Sequence, residues 1–132
     1  MKVRCFFLMK RRWVNKGFII FFVQNLYTNI DEESKKYLKN QFGNLITLLP
    51  GKSEEWLMVS LEGNLDMYFK GTNAPLCMVE VKTYGENTKK SMEDFTSNIT
   101  VLVSKVLDIK PERIYISYFS TPNWGFDGSN FS

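Results

Sequence analysis

The side chains that carry most enzymatic chemistry are scarce in this sequence, which has no histidine and two cysteines, Cys5 and Cys77. Two widely separated thiols make neither a disulfide framework nor a metal-ligand spacing. Without histidine, zinc ligation and serine–histidine nucleophilic catalysis both lose their usual partners. The expectation is therefore no metal and no other cofactor. Lys52 follows the helix-stopping pair Pro50-Gly51, in a helix-to-strand turn. A lysine in such a turn is ordinarily solvated, so its position gains meaning only from what surrounds it. Aromatic residues make up 15% of the chain, enough to wall an apolar cavity as well as to fill a core.

A length of 132 residues, 44% of them hydrophobic and 23% charged, suits one ordinary globular domain with a single core. The longest apolar run, Gly17 to Val23, falls well short of the roughly 20 residues that a membrane-spanning helix needs. No membrane span is expected. The chain carries 17 bases and 14 acids, but residues 1–20 hold six of those bases (Lys2, Arg4, Lys10, Arg11, Arg12 and Lys16) and no acid. Downstream, 11 bases face 14 acids, so the body is mildly acidic and offers no basic surplus for nucleic acid.

The start of the chain, residues 1–21, reads as a basic and aromatic extension distinct from a domain at 22–132. It has the positive beginning of a secretory signal, but its apolar stretches are short, interrupted by Lys10-Arg11-Arg12-Trp13, and followed by no small-residue cleavage site. An interfacial anchor is a second reading. The abrupt change of composition near residue 21 best suits a third, a start assigned too far upstream. Location is expected to be cytoplasmic, or secreted without a clear signal peptide.

From Leu26 the pattern becomes regular. Asp31 is a good N-cap, and Glu32 and Glu33 put negative charge in a first helical turn. Tyr37, Leu38, Phe42, Leu45, Ile46 and Leu49 then share one face of a helix that Pro50-Gly51 ends. The run from Trp56 to Glu62 is apolar and short, a strand. A second helix follows in which Ser91 with Asp94 resembles a capping box, and Met92, Phe95, Ile99, Leu102, Val103 and Val106 share a face. Residues 76–85 and the run from Arg113 read as strands, with a short segment at 67–69 before the first of them. The plan repeats at an offset of 58: helix 33–48 falls on 91–106, and Lys52 on Lys110. Two β-α-β units imply an α+β fold with one mixed sheet and both helices on one face. Residues on both faces of the strands are substantially apolar, so the uncovered face calls for a partner, most economically another copy of the chain.

Four stretches resemble the macrophage migration inhibitory factor family, which includes phenylpyruvate and dopachrome tautomerases: Thr28-Asn29-Ile30; residues 51–61, GKSEEWLMVSL; residues 67–85, MYFKGTNAPLCMVEVKTYG; and residues 109–119 with 123–131, IKPERIYISYF and NWGFDGSNF. The resemblance runs from about Leu26 to the end and rests on the order and spacing of the four together. It implies the duplicated β-α-β fold and a homotrimer with sites between neighbouring subunits.

The resemblance also implies a chemistry. In the family an N-terminal proline amine takes a proton from the carbon beside a carbonyl and returns it elsewhere, converting keto to enol. A chain terminus suits that task, because an α-amino group titrates at about 7.7–8.0 and burial or a nearby cation lowers it further. Lys52 matches the family's pocket lysine, which would hold a substrate carboxylate. Tyr84 matches the position whose backbone N–H assists at the carboxylate or developing oxyanion. Tyr115 matches a tyrosine given by the adjoining subunit, and Ser117 replaces that subunit's asparagine, shortening the polar reach. Trp56, Trp124, Phe126 and Phe131 match the apolar lining, which suits a small aryl-pyruvate.

Two departures bear on function. Leu76 and Val79 stand where some animal members have the cysteines of a Cys-x-x-Cys, so thiol-disulfide reductase activity is not supported. The proline is also missing. Counting back from Thr28 puts Phe21 or Phe22 in its slot, joined to a preceding chain, and a peptide nitrogen is not a base. The alternative to a tautomerase is thus a non-catalytic, cytokine-like trimer that binds a protein receptor. An RNA-binding β-α-β domain fits less well, because the glycine-aromatic signature of that module is absent and the body is acidic.

Overall fold

The computed structural model describes residues 19–25, 30–63 and 65–131. The basic stretch 1–18, with the signal, anchor and upstream-start readings made for it, and the Thr28-Asn29 pair lie outside the described residues.

Strand β1 (Ile19–Asn25) leads to helix α1 (Glu32–Leu45), whose end tightens into a single-turn helix at Ile46–Leu48. Another single turn, Glu54–Trp56, introduces β2 (Leu57–Glu62). The second unit is β3 (Cys77–Tyr84), α2 (Lys89–Leu107), a single turn at Pro111–Arg113, and β4 (Ile114–Thr121). A hairpin of β5 (Gly125–Phe126) and β6 (Ser129–Asn130) follows. The main sheet has the order β2-β1-β3-β4, with β1 parallel to β2, β3 parallel to β4, and the two pairs joined antiparallel through β1 and β3. Each parallel pair is bridged by its own helix, as a parallel connection requires.

Local signals explain both helices. Asp31 caps α1, its carboxylate accepting from the Ser34 N–H at 2.7 Å and the Ser34 hydroxyl at 3.0 Å, and the Ser34 backbone bond is the main reason its pKa is lowered. The second cap differs from the expected Ser91–Asp94 box. Thr88 is the cap, its hydroxyl accepting from the Ser91 N–H at 3.1 Å, while Ser91 is buried in the first turn and Asp94 pairs with Lys90. Thr88 wins because the helix starts at Lys89, which places Ser91 at the third position, where its N–H needs an acceptor.

The apolar faces read from spacing meet the sheet. Leu38, Phe42, Ile46 and Leu49 from the first unit join Phe95, Ile99, Val103 and Ile109 from the second around Cys77, Val79 and Val81. Leu57, Val59, Leu61, Ile114 and Ile116 pack against this core from the flanking strands. Tyr118 ties α2 to β4: its hydroxyl donates to the Met92 carbonyl at 2.9 Å and lies 2.7 Å from the Thr96 hydroxyl. On β4 the alternation sends Tyr115 and Phe119 outward, 53% and 50% exposed, so the sheet face away from the core keeps large aromatic surface.

Strand β1 reaches back to Ile19, inside the segment 1–21 that composition sets apart. A central strand is delimited by ladder partners on both sides, and Ile19, Ile20 and Phe21 have them, opposite Leu57, Met58 and Val59 on β2 and Thr83, Lys82 and Val81 on β3. The repeat agrees: Cys77 less the offset of 58 is Ile19. No described helix is long and apolar enough to cross a membrane.

Candidate functional site

Lys52 is the most unusual cation among the described residues. The chain turns sharply after α1 because Gly51 adopts a left-handed conformation (φ 70°), and the Lys52 N–H closes the turn on the Leu49 carbonyl at 3.1 Å. The side chain folds inward, leaving Lys52 7% exposed, with Nζ donating to the Pro50 carbonyl at 3.2 Å. No described salt bridge holds it. Burial lowers its pKa to about 8, because a desolvated ammonium lacks the water that would stabilise its charge. Such a cation has donors to spare for an incoming anion. The solvated-turn reading of Lys52 does not describe this geometry.

The depressed pKa carries a stability consequence. Between pH 8 and 10.5 the unfolded chain keeps the lysine proton that the folded chain has released, so this group makes stability rise with pH in that window. Denaturant unfolding should show the parent gaining stability relative to Lys52→Met from pH 8 to pH 10. A constant difference across the series would mean that Lys52 is not desolvated.

Four residues beyond Lys52, Trp56 closes the single turn into β2 and packs with Leu57, Tyr84, Trp124 and Phe131 in an apolar cluster at one end of the sheet. The C-terminal hairpin supplies Trp124 and Phe131. Asp127-Gly128, both left-handed (φ 48° and 79°), make the two-residue turn whose twist matches paired strands, and the Phe131 N–H bonds the Trp124 carbonyl at 2.8 Å. The ring of Phe131 then lies 5.3 Å from that of Tyr84, and Phe126 stacks on Phe131 at 6.5 Å with an interplanar angle of 13°. The four expected aromatic positions and Tyr84 are thus brought together, beside the segment that carries Lys52.

Beneath Tyr84 lies a polar network that the sequence did not single out. Thr83 is fully buried; its hydroxyl donates to the Gly85 carbonyl at 3.2 Å, accepts from Asn87 Nδ2 at 2.9 Å and lies 3.3 Å from the Ser120 hydroxyl. Together with the Gly85 N–H bond to the Thr121 carbonyl, this holds the turn after β3. Successive N–H groups along a strand point to opposite sides. Since the Gly85 N–H faces β4, the Tyr84 N–H faces the other side of β3, the side of β1, at the end where Ile19 stands opposite Thr83.

Ile19 is therefore the described β1 residue at the cluster end, set between Leu57 and Thr83. Phe21 and Phe22, the slot obtained by counting back from Thr28, lie further along the strand, opposite Val59 and Ser60 on one side and Val81 and Glu80 on the other. Counting along the sequence from Thr28 takes no account of the ladder.

Tyr115 and Ser117 do not join this cluster within one chain. They pair with Met78 and Glu80, whereas Tyr84 pairs with Thr121. Six residues of strand separate Tyr115 from Thr121, about 20 Å at the rise of an extended chain. Tyr115 packs its ring edge-on with Phe69 instead, and the buried Ser117 hydroxyl has no hydrogen-bond partner among the described residues. Among the described residues no group of three or more cysteines or acids is gathered that could hold a metal.

Residues 21–132 match the family described as Macrophage migration inhibitory factor (MIF). The macrophage migration inhibitory factor of Mus musculus is 29% identical over 84 residues, covering 62% of this chain and 73% of that protein. Among solved structures, the crystal structure of Leishmania major MIF2 superposes with a TM-score of 0.75 at 28% identity, covering 83% of this chain and 95% of the other. The macrophage migration inhibitory factor homologue from Prochlorococcus marinus gives 0.71 at 27% identity, covering 83% and 96%.

Proposed function

We propose, because this chain belongs to the macrophage migration inhibitory factor family, that it carries the substrate-binding machinery of a keto–enol tautomerase of the phenylpyruvate or dopachrome type. In this reading turnover requires an unacylated amine at the start of β1. The supporting observation is the sheet register, which sets Ile19 at the end where Trp56 and Tyr84 cluster and the segment bearing Lys52 enters β2.

The residues divide the work as follows. The Lys52 ammonium takes the carboxylate of an aryl-pyruvate, a charge-assisted bond made strong by burial. Trp56, Trp124, Phe126 and Phe131 receive the aryl ring, and Tyr84 presents its N–H toward the oxygen that gains charge as the enol forms. An amine at the head of β1 removes the proton from the carbon beside the carbonyl and passes it to that oxygen, so one proton moves and no redox partner is needed. Tyr115 and Ser117, about 20 Å and about 13 Å away along their own strand, reach such a site only from a neighbouring copy, consistent with a homotrimer.

A second reading is favoured by one covalent fact. In the chain from Met1, the nitrogen of Ile19 is acylated by Phe18 and cannot act as a base. That form would be a non-catalytic trimer whose exposed surfaces bind protein partners. Both readings are tested on the purified chain beginning at Met1, by sedimentation equilibrium, by phenylpyruvate quenching of tryptophan fluorescence and by enol formation. The expected result is a trimer that binds phenylpyruvate and barely isomerises it. A monomer would remove the shared site, and rapid enol formation would show that no terminal amine at β1 is required.

A further inference from the structure

We infer that Arg113 is a positioning residue for Tyr115, acting through Phe69; its consequence for ligand binding rests on the reading above in which Tyr115 serves the site of a neighbouring copy. The connection between β2 and β3 makes little regular structure of its own among the described residues. Its one bridge is the pair Phe69–Thr72 around a tight turn with Lys70 and Gly71 both left-handed (φ 50° and 72°). A surface segment with so few internal bonds would ordinarily move.

Arg113 supplies the missing bonds. From the turn before β4 its guanidinium donates to four carbonyls of that connection: Nε to Pro75 at 3.0 Å, Nη1 to Phe69 at 3.2 Å, and Nη2 to Thr72 at 3.2 Å and to Ala74 at 2.9 Å. The same group lies over the Phe69 ring, its Cζ 5.3 Å from the centroid. Phe69 in turn meets Tyr115 edge-on, with centroids 5.2 Å apart and planes at 84°. Tyr115 is half exposed on the outward face of an edge strand, and the core does not hold its ring. The contact chain Arg113–Phe69–Tyr115 therefore sets where that ring points.

Lysine cannot replace the arginine. A guanidinium is a planar fork of five N–H donors, four of which are used here across carbonyls spread over seven residues, whereas an ammonium offers three donors on one atom. Arg113→Lys keeps the charge and loses the span.

The test uses the full chain as parent, Arg113→Lys, Tyr115→Ala and the double variant. In ring-labelled tyrosine NMR spectra, the Tyr115 resonance is shifted by the Phe69 ring in the parent. It should return to the position of an unpacked tyrosine in Arg113→Lys, with the core Tyr118 resonance unchanged as a control on folding. Phenylpyruvate binding, read by tryptophan quenching, should weaken about 2- to 12-fold in Arg113→Lys, the range an edge-on aromatic contact sets. The double variant should be no weaker than Tyr115→Ala alone. A Tyr115 resonance that stays in place in Arg113→Lys overturns the inference whatever the ligand does, as does binding loss that multiplies in the double variant. If Tyr115→Ala leaves phenylpyruvate binding untouched, the shared-site reading fails, and the resonance alone decides the role of Arg113.

Discussion

A chain whose first residue is proline in place of Ile19 will isomerise phenylpyruvate at least about 100-fold faster than the chain beginning at Met1. The magnitude follows from what a general base contributes, about 10²- to 10⁴-fold. The peptide nitrogen of Ile19 contributes nothing of that kind, since its lone pair is delocalised into the carbonyl of Phe18. Trimming the chain there exposes an amine whose ordinary pKa, about 7.7–8.0, already suits proton transfer near neutrality. Proline at the first position of a strand costs the sheet little, because no ladder bond precedes it.

The control is a chain beginning at Phe22, the residue suggested by counting from Thr28. That chain would lack Ile19, Ile20 and Phe21, and with them the pairing to Leu57–Val59 and Thr83–Val81. Its amine would stand three residues into the sheet, away from the Trp56–Tyr84 cluster. It should gain no activity and lose stability. Equal gains from both starts, or a gain from Phe22 alone, would show that the register does not locate the base.

Replacing Lys52 by Ala in the proline-initiated form should lower kcat/KM about 10- to 100-fold, the worth of a hydrogen bond to a charged group. Most of the loss should appear in KM, because the ammonium is assigned to a carboxylate that is charged throughout the reaction. The pH dependence separates this role from a packing defect. With its pKa near 8, Lys52 gives up its charge as pH rises through that value, and KM should climb between pH 7.5 and 9. Lys52→Arg, which stays protonated over that range, should abolish the climb even if its bulk raises KM at every pH. A flat KM in the parent would take Lys52 out of the anion-binding role.

Much of this architecture is legible along the chain because it rests on short-range regularities. Asp31 with its acidic first turn, the Pro50-Gly51 stop and the two apolar helix faces each announce an element from within a dozen residues, and the faces are the ones that meet the core, apart from Tyr37, which is 51% exposed. The offset of 58 carries the duplication, and applied to the strand near 76–85 it points to a first strand from about residue 18. The cap of α2 is not legible in the sequence, because Ser91 and Thr88 are both plausible caps and only the position of the first turn separates them.

What the sequence determined by itself is therefore the set of elements, their duplication and the absence of histidine, and its resemblance to the family picked out Lys52 and the aromatic residues as candidates. The tertiary structure decided three further matters. The ladder with β2 and β3 decided that Ile19, not Phe21 or Phe22, stands beside the cluster. Burial decided that Lys52 is a desolvated ammonium with a lowered pKa and not a solvated cation. Packing joined Arg113 to a segment some forty residues earlier through four carbonyls. The reason is common to all three: strand register, desolvation and side-chain-to-carbonyl bonds depend on groups distant in sequence, so no local pattern of residue types contains them.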